Sequence, residues 1–265
     1  MKARALALGL LLAAIGTGNI FAQDWAKERL NKSPRHSEWI DLKHGDRTVK
    51  TFVVYPEVKT KAPVVLVIHE IFGLTDWAKS LADELAAAGY IAIAPDLLSA
   101  AGKDTSSYPG QDAAIKAVSA LPDAQVFADL DAAADYALKL PAGSGSLAVT
   151  GFCWGGGKSF AYANHNPHLK AAFVFYGPGP ESAAQAAKIA CPVYGFYAED
   201  DARIGATVPK TKEIMQSSGK TFEAVTYPGA GHGFMRAGEA PDASDANRKA
   251  HDAAWERWKS LLKKL

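Results

Sequence analysis

The stretch that decides the fold is Val149-Thr150-Gly151-Phe152-Cys153-Trp154-Gly155-Gly156-Gly157. The apolar run at 147–150 predicts a short buried strand, and residues 158–163 predict a helix. A sharp turn from a strand into a helix is crowded, so the residues two before and two after its centre must be small. The glycines on either side of Cys153 meet this requirement. The pattern predicts a nucleophilic thiol that projects above a sheet, with a helix N-terminus pointing at it.

Strands and helices alternate outward from this turn in both directions. An antiparallel pair is predicted first, at 37–43 and 47–55, with the turn at Gly45-Asp46. Apolar runs typical of buried parallel strands follow at 62–69, 90–94, 170–177, 191–198 and 222–227. Helices are predicted at 77–88, 111–120, 123–140, 208–218 and 242–262. This order predicts an α/β fold, a mostly parallel twisted sheet with helices on both faces.

The first 22 residues have the three regions of a secretory signal peptide. Lys2 and Arg4 precede an uninterrupted apolar segment at 5–15, and small, weakly polar residues lead to Ala22. The apolar segment is short for a transmembrane helix, although an uncleaved membrane anchor is the alternative. We expect cleavage after Ala22 and a secreted, periplasmic protein that is free of the membrane. Residues 23–265 are predicted to form a single domain, beginning with an arm or short amphipathic turn at 23–34.

Composition excludes several function classes. The chain has 265 residues, 48% hydrophobic and 22% charged, with a net charge of +1 and no basic stripe, so no nucleic acid partner is expected. His165 and His168 lie close together, but no nearby Cys or carboxylate completes a metal site. No cofactor is expected. The second cysteine, Cys191, begins a strand far from the tip where Cys153 lies, so a disulfide between the two is not expected.

The ends of the predicted strands bring chemistry-bearing side chains to one edge of the sheet, where open α/β sheets bind ligands. A thiol nucleophile needs a base, and the base needs a group to orient it. Asp200 or Asp201 and then His232 follow Cys153, each just past a strand, in the α/β-hydrolase order of nucleophile, acid and histidine. The backbone N–H groups of Trp154 and Ile71 are the expected oxyanion donors.

Several blocks together resemble the dienelactone hydrolase family, part of the α/β-hydrolase superfamily. They are His69-Glu70-Ile71-Phe72-Gly73, Gly151-Phe152-Cys153-Trp154-Gly155-Gly156, Tyr176-Gly177, Asp201-Ala202-Arg203-Ile204 and Gly231-His232-Gly233-Phe234. The resemblance implies an α/β-hydrolase fold and a triad of Cys153, Asp201 and His232. It also implies that Glu70 holds the resting thiol until substrate displaces it. Arg236 matches a family arginine that pairs with the substrate carboxylate, and Tyr176 is expected to contact substrate.

This chain departs from the best-known family members at one position. They carry a second arginine shortly after a Gln-Asp pair, whereas Gln111-Asp112 is followed here by Ala113-Ala114-Ile115-Lys116. The natural substrate is therefore left open. The sequence predicts a monomeric hydrolase that cleaves small carboxylic esters or lactones through a thioester acyl-enzyme. The alternatives are a binding protein that retains the hydrolase fold and a redox protein, for which a Cys-x-x-Cys pair is missing.

Overall fold

The computed structural model describes residues 23–99 and 103–265. Its strands are β1 (Ser37–His44), β2 (Arg47–Val54), β3 (Ala62–Ile68), β4 (Ile91–Pro95), β5 (Gly143–Phe152), β6 (Ala171–Phe175), β7 (Val193–Ala198) and β8 (Phe222–Tyr227). They form an eight-stranded sheet in the order β1-β2-β4-β3-β5-β6-β7-β8. β2 is antiparallel to both of its neighbours, and the other neighbouring pairs are parallel. The predicted mostly parallel sheet with an antiparallel start is confirmed.

The helices in the described part of the chain connect these strands and cover the sheet. They are α1 (Asp24–Asn31), α2 (Asp76–Ala87), α3 (Gln111–Ser119), α4 (Asp123–Lys139), α5 (Trp154–His165), α6 (Ala202–Gly205), α7 (Val208–Ser217), α8 (Phe234–Ala237) and α9 (Asp245–Leu262). The two short helices α6 and α8, which the sequence did not predict, directly follow the loops after β7 and β8. Both loops belong to the candidate active site.

β3 shows why helices are needed on both faces of the sheet. Its side chains alternate, so Val65 and Val67 join one buried apolar cluster and Leu66 and Ile68 join another. The first cluster packs against α2 and α9, and the second packs against α4, α5 and α7. These four β3 residues have no exposed surface at all, as expected for a central parallel strand covered on both sides.

The N-terminal segment differs from its prediction, because part of the expected arm is the helix α1. Ala26 is its buried residue, so the helix offers little amphipathic pattern for a sequence to reveal. Tertiary contacts hold it in place: the backbone N–H of Trp77 donates to Oε1 of Gln23 at 2.6 Å, and Arg29 donates to Glu239 at 2.6 Å. The predicted signal peptide at 1–22 lies outside the described residues. Among the residues that are described, no helix combines the length and apolar character needed to cross a membrane.

Candidate active site

The turn between β5 and α5 holds Cys153 in a strained conformation. Its φ and ψ are 57° and −116°, a region that side-chain-bearing residues rarely adopt. A Cβ atom on Gly151 would lie 1.9 Å from the carbonyl oxygen of Gly155, and one on Gly155 would lie 2.3 Å from that of His69. Backbone oxygens cannot move aside as flexible side chains can. Both positions therefore require glycine, and the thiol is fixed at the carboxyl end of the sheet.

The surroundings of the Cys153 thiol act on its ionisation in opposite directions. Burial, followed by the negative charge of Glu70, raises the pKa of the Cys153 thiol to about 11. The backbone N–H groups of Trp154 and Ile71 lie close enough to lower the same pKa, as does the positive charge of Arg203. The two N–H groups predicted as oxyanion donors therefore both face the reacting end of Cys153. The net effect is a raised pKa, so the resting thiol remains protonated near neutral pH.

Asp201 and His232 form a close pair at the ends of β7 and β8. Nδ1 of His232 lies 2.5 Å from Oδ2 of Asp201. Asp201 is buried, and its other oxygen accepts from the backbone N–H of Ile204 at 3.3 Å, which fixes the carboxylate at the start of α6. Asp200 is exposed and has no side-chain hydrogen bond among the described residues. Between the two acids left open by the sequence, the geometry joins Asp201 to His232.

The His232 ring is held from a second side by an aromatic contact. The ring of Tyr176 meets it edge-on, with 5.1 Å between the ring centroids. Because Nδ1 faces Asp201, Nε2 is the ring nitrogen available to the thiol. Within the described residues, no hydrogen bond joins the His232 ring to the Cys153 sulfur. Catalytic hydrogen bonds are often long in structures without substrate and tighten when substrate binds.

Arg236 has a partner that the sequence did not predict. Its Nε donates to Oε2 of Glu70 at 2.8 Å, and the Glu70 side chain is only 3% exposed. The guanidinium also lies over the ring of Phe72, 5.4 Å from its centroid. The predicted carboxylate-binding residue is thus paired with the predicted thiol-holding residue. Glu70 influences the Cys153 thiol through its charge, and its hydrogen bond goes to Arg236.

Tyr176 lies directly after β6 with a φ of 38°, again a strained value for a residue with a side chain. It has no exposed surface, and its hydroxyl has no hydrogen-bond partner among the described residues. Burial raises the pKa of Tyr176, so the hydroxyl stays protonated. A buried donor without a partner is costly unless a ligand or water satisfies it. Tyr176 lines the cavity that opens at Cys153, where a substrate oxygen could accept its hydrogen bond.

Sequence reasoning missed Arg203 as a site residue. It lies two residues after Asp201, lines the same cavity as Cys153, and has no ion pair within the described part of the chain. A cation so close in sequence to the candidate acid was the available signal. His232, Glu70 and Arg236 lie outside the cavity lining.

The chain is similar to known proteins of one family. The sequence model described as "Dienelactone hydrolase family" matches residues 49–265. A "Putative carboxymethylenebutenolidase" of Methylorubrum extorquens is 38% identical over 200 residues, covering 71% of this chain and 69% of the relative. One of the same name from Saccharolobus solfataricus is 30% identical, covering 82% of this chain and 94% of the relative. A crystal structure named as a putative dienelactone hydrolase of Klebsiella pneumoniae superposes with a TM-score of 0.77 at 31% identity, over 87% of this chain and 99% of that one.

These matches place the chain in a class and then in a family. The eight-stranded sheet and its structural neighbours define an α/β-hydrolase fold, as the sequence predicted. The chain belongs to the dienelactone hydrolase family.

Proposed function

We propose that this protein hydrolyses carboxylic esters or lactones with Cys153 as the nucleophile. The observation that carries the proposal is that three features meet at the carboxyl end of the sheet. Cys153 lies on a strained turn, and the N–H groups of Ile71 and Trp154 face its thiol. Asp201 and His232 form a pair in the loops that follow β7 and β8. A nucleophile, an oriented base and oxyanion donors are the parts that acyl transfer requires.

In the first half-reaction, Nε2 of His232 takes the proton of the Cys153 thiol and the sulfur attacks the substrate carbonyl. The new S–C bond moves the carbonyl electrons onto oxygen, where the N–H groups of Ile71 and Trp154 stabilise the oxyanion. Asp201 keeps the ring oriented and stabilises its positive charge. Collapse of the intermediate breaks the C–O bond, and His232 returns its proton to the departing alkoxide. A thioester with Cys153 remains.

In the second half-reaction, His232 acts as the base again and takes a proton from water. The resulting hydroxide equivalent attacks the thioester, and the same N–H groups hold the second oxyanion. The C–S bond then breaks, the sulfur regains a proton from His232, and the carboxylic acid leaves. A lactone follows the same steps, with the leaving alkoxide still attached to the acid. The proposed steps use no cofactor.

We propose that Glu70 and Arg236 control when the thiol is activated. Arg236 is suited to bind a substrate carboxylate in a bidentate manner, and Glu70 occupies it in the structure. A competing anion would release Glu70 from Arg236 and change the electrostatic field at Cys153. A thiol kept protonated until then is less open to oxidation, because the thiolate is the form that oxidants attack. This protection would suit the exported, periplasmic location that the sequence predicts.

The direct test replaces the nucleophile. Cys153→Ala, in protein lacking residues 1–22, is expected to lose hydrolysis of 4-nitrophenyl acetate and of an enol-lactone by about 1,000-fold or more. Cys191→Ala, which removes the other cysteine, is the matched control and should retain activity. Mass spectrometry after rapid acid quenching should detect an acyl group on Cys153. Full activity of Cys153→Ala would refute the nucleophile, whereas failure of the unaltered protein to acylate would favour a binding role.

A further inference from the structure

A long cleft extends from Cys153 along one face of α5. The cavity that opens at the thiol has a volume of about 770 Å³. Cavities of about 300–1,000 Å³ are large enough to enclose drug-sized ligands. A small lactone would fill only the part next to the reacting sulfur. The remaining space is part of the same cavity, so the residues that line it indicate the chemistry of the rest of the substrate.

The spacing of the cleft residues on α5 defines its direction. Cys153 lines it together with Gly157, Ala161 and Asn164, which lie four, eight and eleven residues after Cys153. Such spacing places them on one face of the helix. At 1.5 Å per residue, Asn164 lies about 16 Å along the helix axis from Cys153. The small side chains at 157 and 161 leave the space above this face open.

The walls of the cleft change character along its length. Trp154, Phe127 and Phe160 give the portion along α5 aromatic surface, and the ion pair of Lys158 with Asp123 lies on the same wall. Asn164 and Gln185 give the distal portion a polar lining.

Hydrogen bonds shape the distal walls. The backbone N–H of Lys188 donates to the Asn164 side chain at 2.8 Å, and that of Glu181 donates to the Gln185 side chain at 2.6 Å. The first of these bonds ties the loop after β6 to α5, and the second lies within that loop.

We propose that the substrate is an elongated ester, whose reacting carbonyl lies at Cys153 and whose extended apolar body lies along α5 toward Asn164. This inference rests on the proposed hydrolase function and adds the substrate class. Apolar contact with the aromatic walls removes surface from water, and each added methylene contributes until the chain outgrows the cleft.

Two series of linear esters test the inference and show which side of the ester enters the cleft. One varies the acyl chain of 4-nitrophenyl esters from acetate to decanoate, and the other varies the alcohol of acetate esters over the same lengths. In one of the two series, kcat/KM is expected to rise about two- to fourfold for each added methylene. If neither series rises with length while activity depends on Cys153, the inference is overturned and the hydrolase function stands.

Substitutions that place larger side chains in the cleft provide a second test of the inference. Ala161→Leu and Ala161→Phe are expected to reduce kcat/KM for the octanoyl or octyl substrate by about tenfold, with the larger side chain having the greater effect. Activity on short acetates should stay within about twofold, which also shows that the variants fold. Ala253→Phe, on an exposed position of α9, is the matched control and should leave both unchanged.

The outcomes separate the two hypotheses. If the Ala161 variants lose activity on long esters and keep it on short ones, the proposed substrate class is supported. If both variants match the unaltered protein on esters of every length, it is contradicted. Full activity of Cys153→Ala on every ester would instead refute the proposed nucleophile. Because Ala161→Leu is the milder change, it keeps the test informative should Ala161→Phe fail to fold.

Discussion

Replacing Glu70 by Gln should make the Cys153 thiol more reactive. Burial is the main cause of the raised pKa of about 11, and the Glu70 charge is the next. Near pH 8, a thiol with that pKa is ionised in about one molecule in a thousand. Removing one nearby negative charge while burial stays should lower the pKa to about 10. The thiolate fraction, and with it the rate of alkylation, should then rise about tenfold.

The assay is the second-order rate constant for alkylation by iodoacetamide as a function of pH. It is measured in a Cys191→Ala background, so that Cys153 is the remaining thiol of the chain. Glu70→Gln should shift the rising limb of the profile to lower pH. Glu181→Gln removes a carboxylate elsewhere on the cavity wall and should leave the limb in place. An unchanged or slower rate in Glu70→Gln would refute the electrostatic role assigned to Glu70.

Arg203→Gln provides a control of opposite sign. The positive charge of Arg203 lowers the pKa of Cys153, so its removal should raise that pKa and slow alkylation at a given pH. Arg248→Gln changes an exposed arginine on α9 and should have no effect. A faster rate in both Glu70→Gln and Arg203→Gln would mean that either change loosens the site, and would contradict the argument from charge.

Three further outcomes are expected. Tyr176→Phe should lower kcat/KM by about tenfold while Cys153 alkylation stays unchanged, if substrate supplies the partner that the buried hydroxyl lacks among the described residues; equal kcat/KM would exclude that contact. Gly151→Ala should cost about 3 kcal/mol or more of unfolding free energy in a denaturant titration, because its Cβ would meet the Gly155 carbonyl, whereas Gly205→Ala, with open space around it, should be neutral or slightly stabilising. A mass spectrum of the exported protein should begin at residue 23, and an intact N-terminus would refute cleavage after Ala22.

The sequence predicted those parts of the fold that depend on local pattern. The continuous β-branched run at 62–69 corresponds to β3, and the glycine-flanked cysteine corresponds to the turn after β5. Both signals are physical necessities: a strand covered on two faces must be apolar throughout, and a crowded turn excludes a Cβ. The partners of individual charges were less predictable. Arg236 and Glu70 are separated by 166 residues, and nothing local to either indicates that they pair.

The helices that the sequence did not predict also depend on tertiary contacts rather than on local pattern. α1 has one buried residue, so its stability depends on contacts from Gln23 and Arg29 to distant residues rather than on its own pattern. α6 and α8 have four residues each, too few for periodicity to appear in the sequence. All three are positioned by tertiary structure. Two of them follow the loops that carry Asp201 and His232, so the loops around the site were less predictable than the strands beneath it.

The turn between β5 and α5 and the cleft differ in how freely their residues can change, so the groups that react are constrained separately from the groups that bind substrate. A Cβ on Gly151, Gly155 or Gly156 would come within 1.9–2.6 Å of a backbone carbonyl oxygen, so each of these positions is fixed by the chain itself. A Cβ on Gly157, on the cleft face, would meet ring atoms of Pro178 at 3.1 and 3.2 Å, and the nearest backbone oxygen, that of Pro178, would be 3.8 Å away. Gly157 is therefore less tightly constrained than these three glycines. Substitutions along α5 should change which ester is accepted and leave the reaction at the thiol intact.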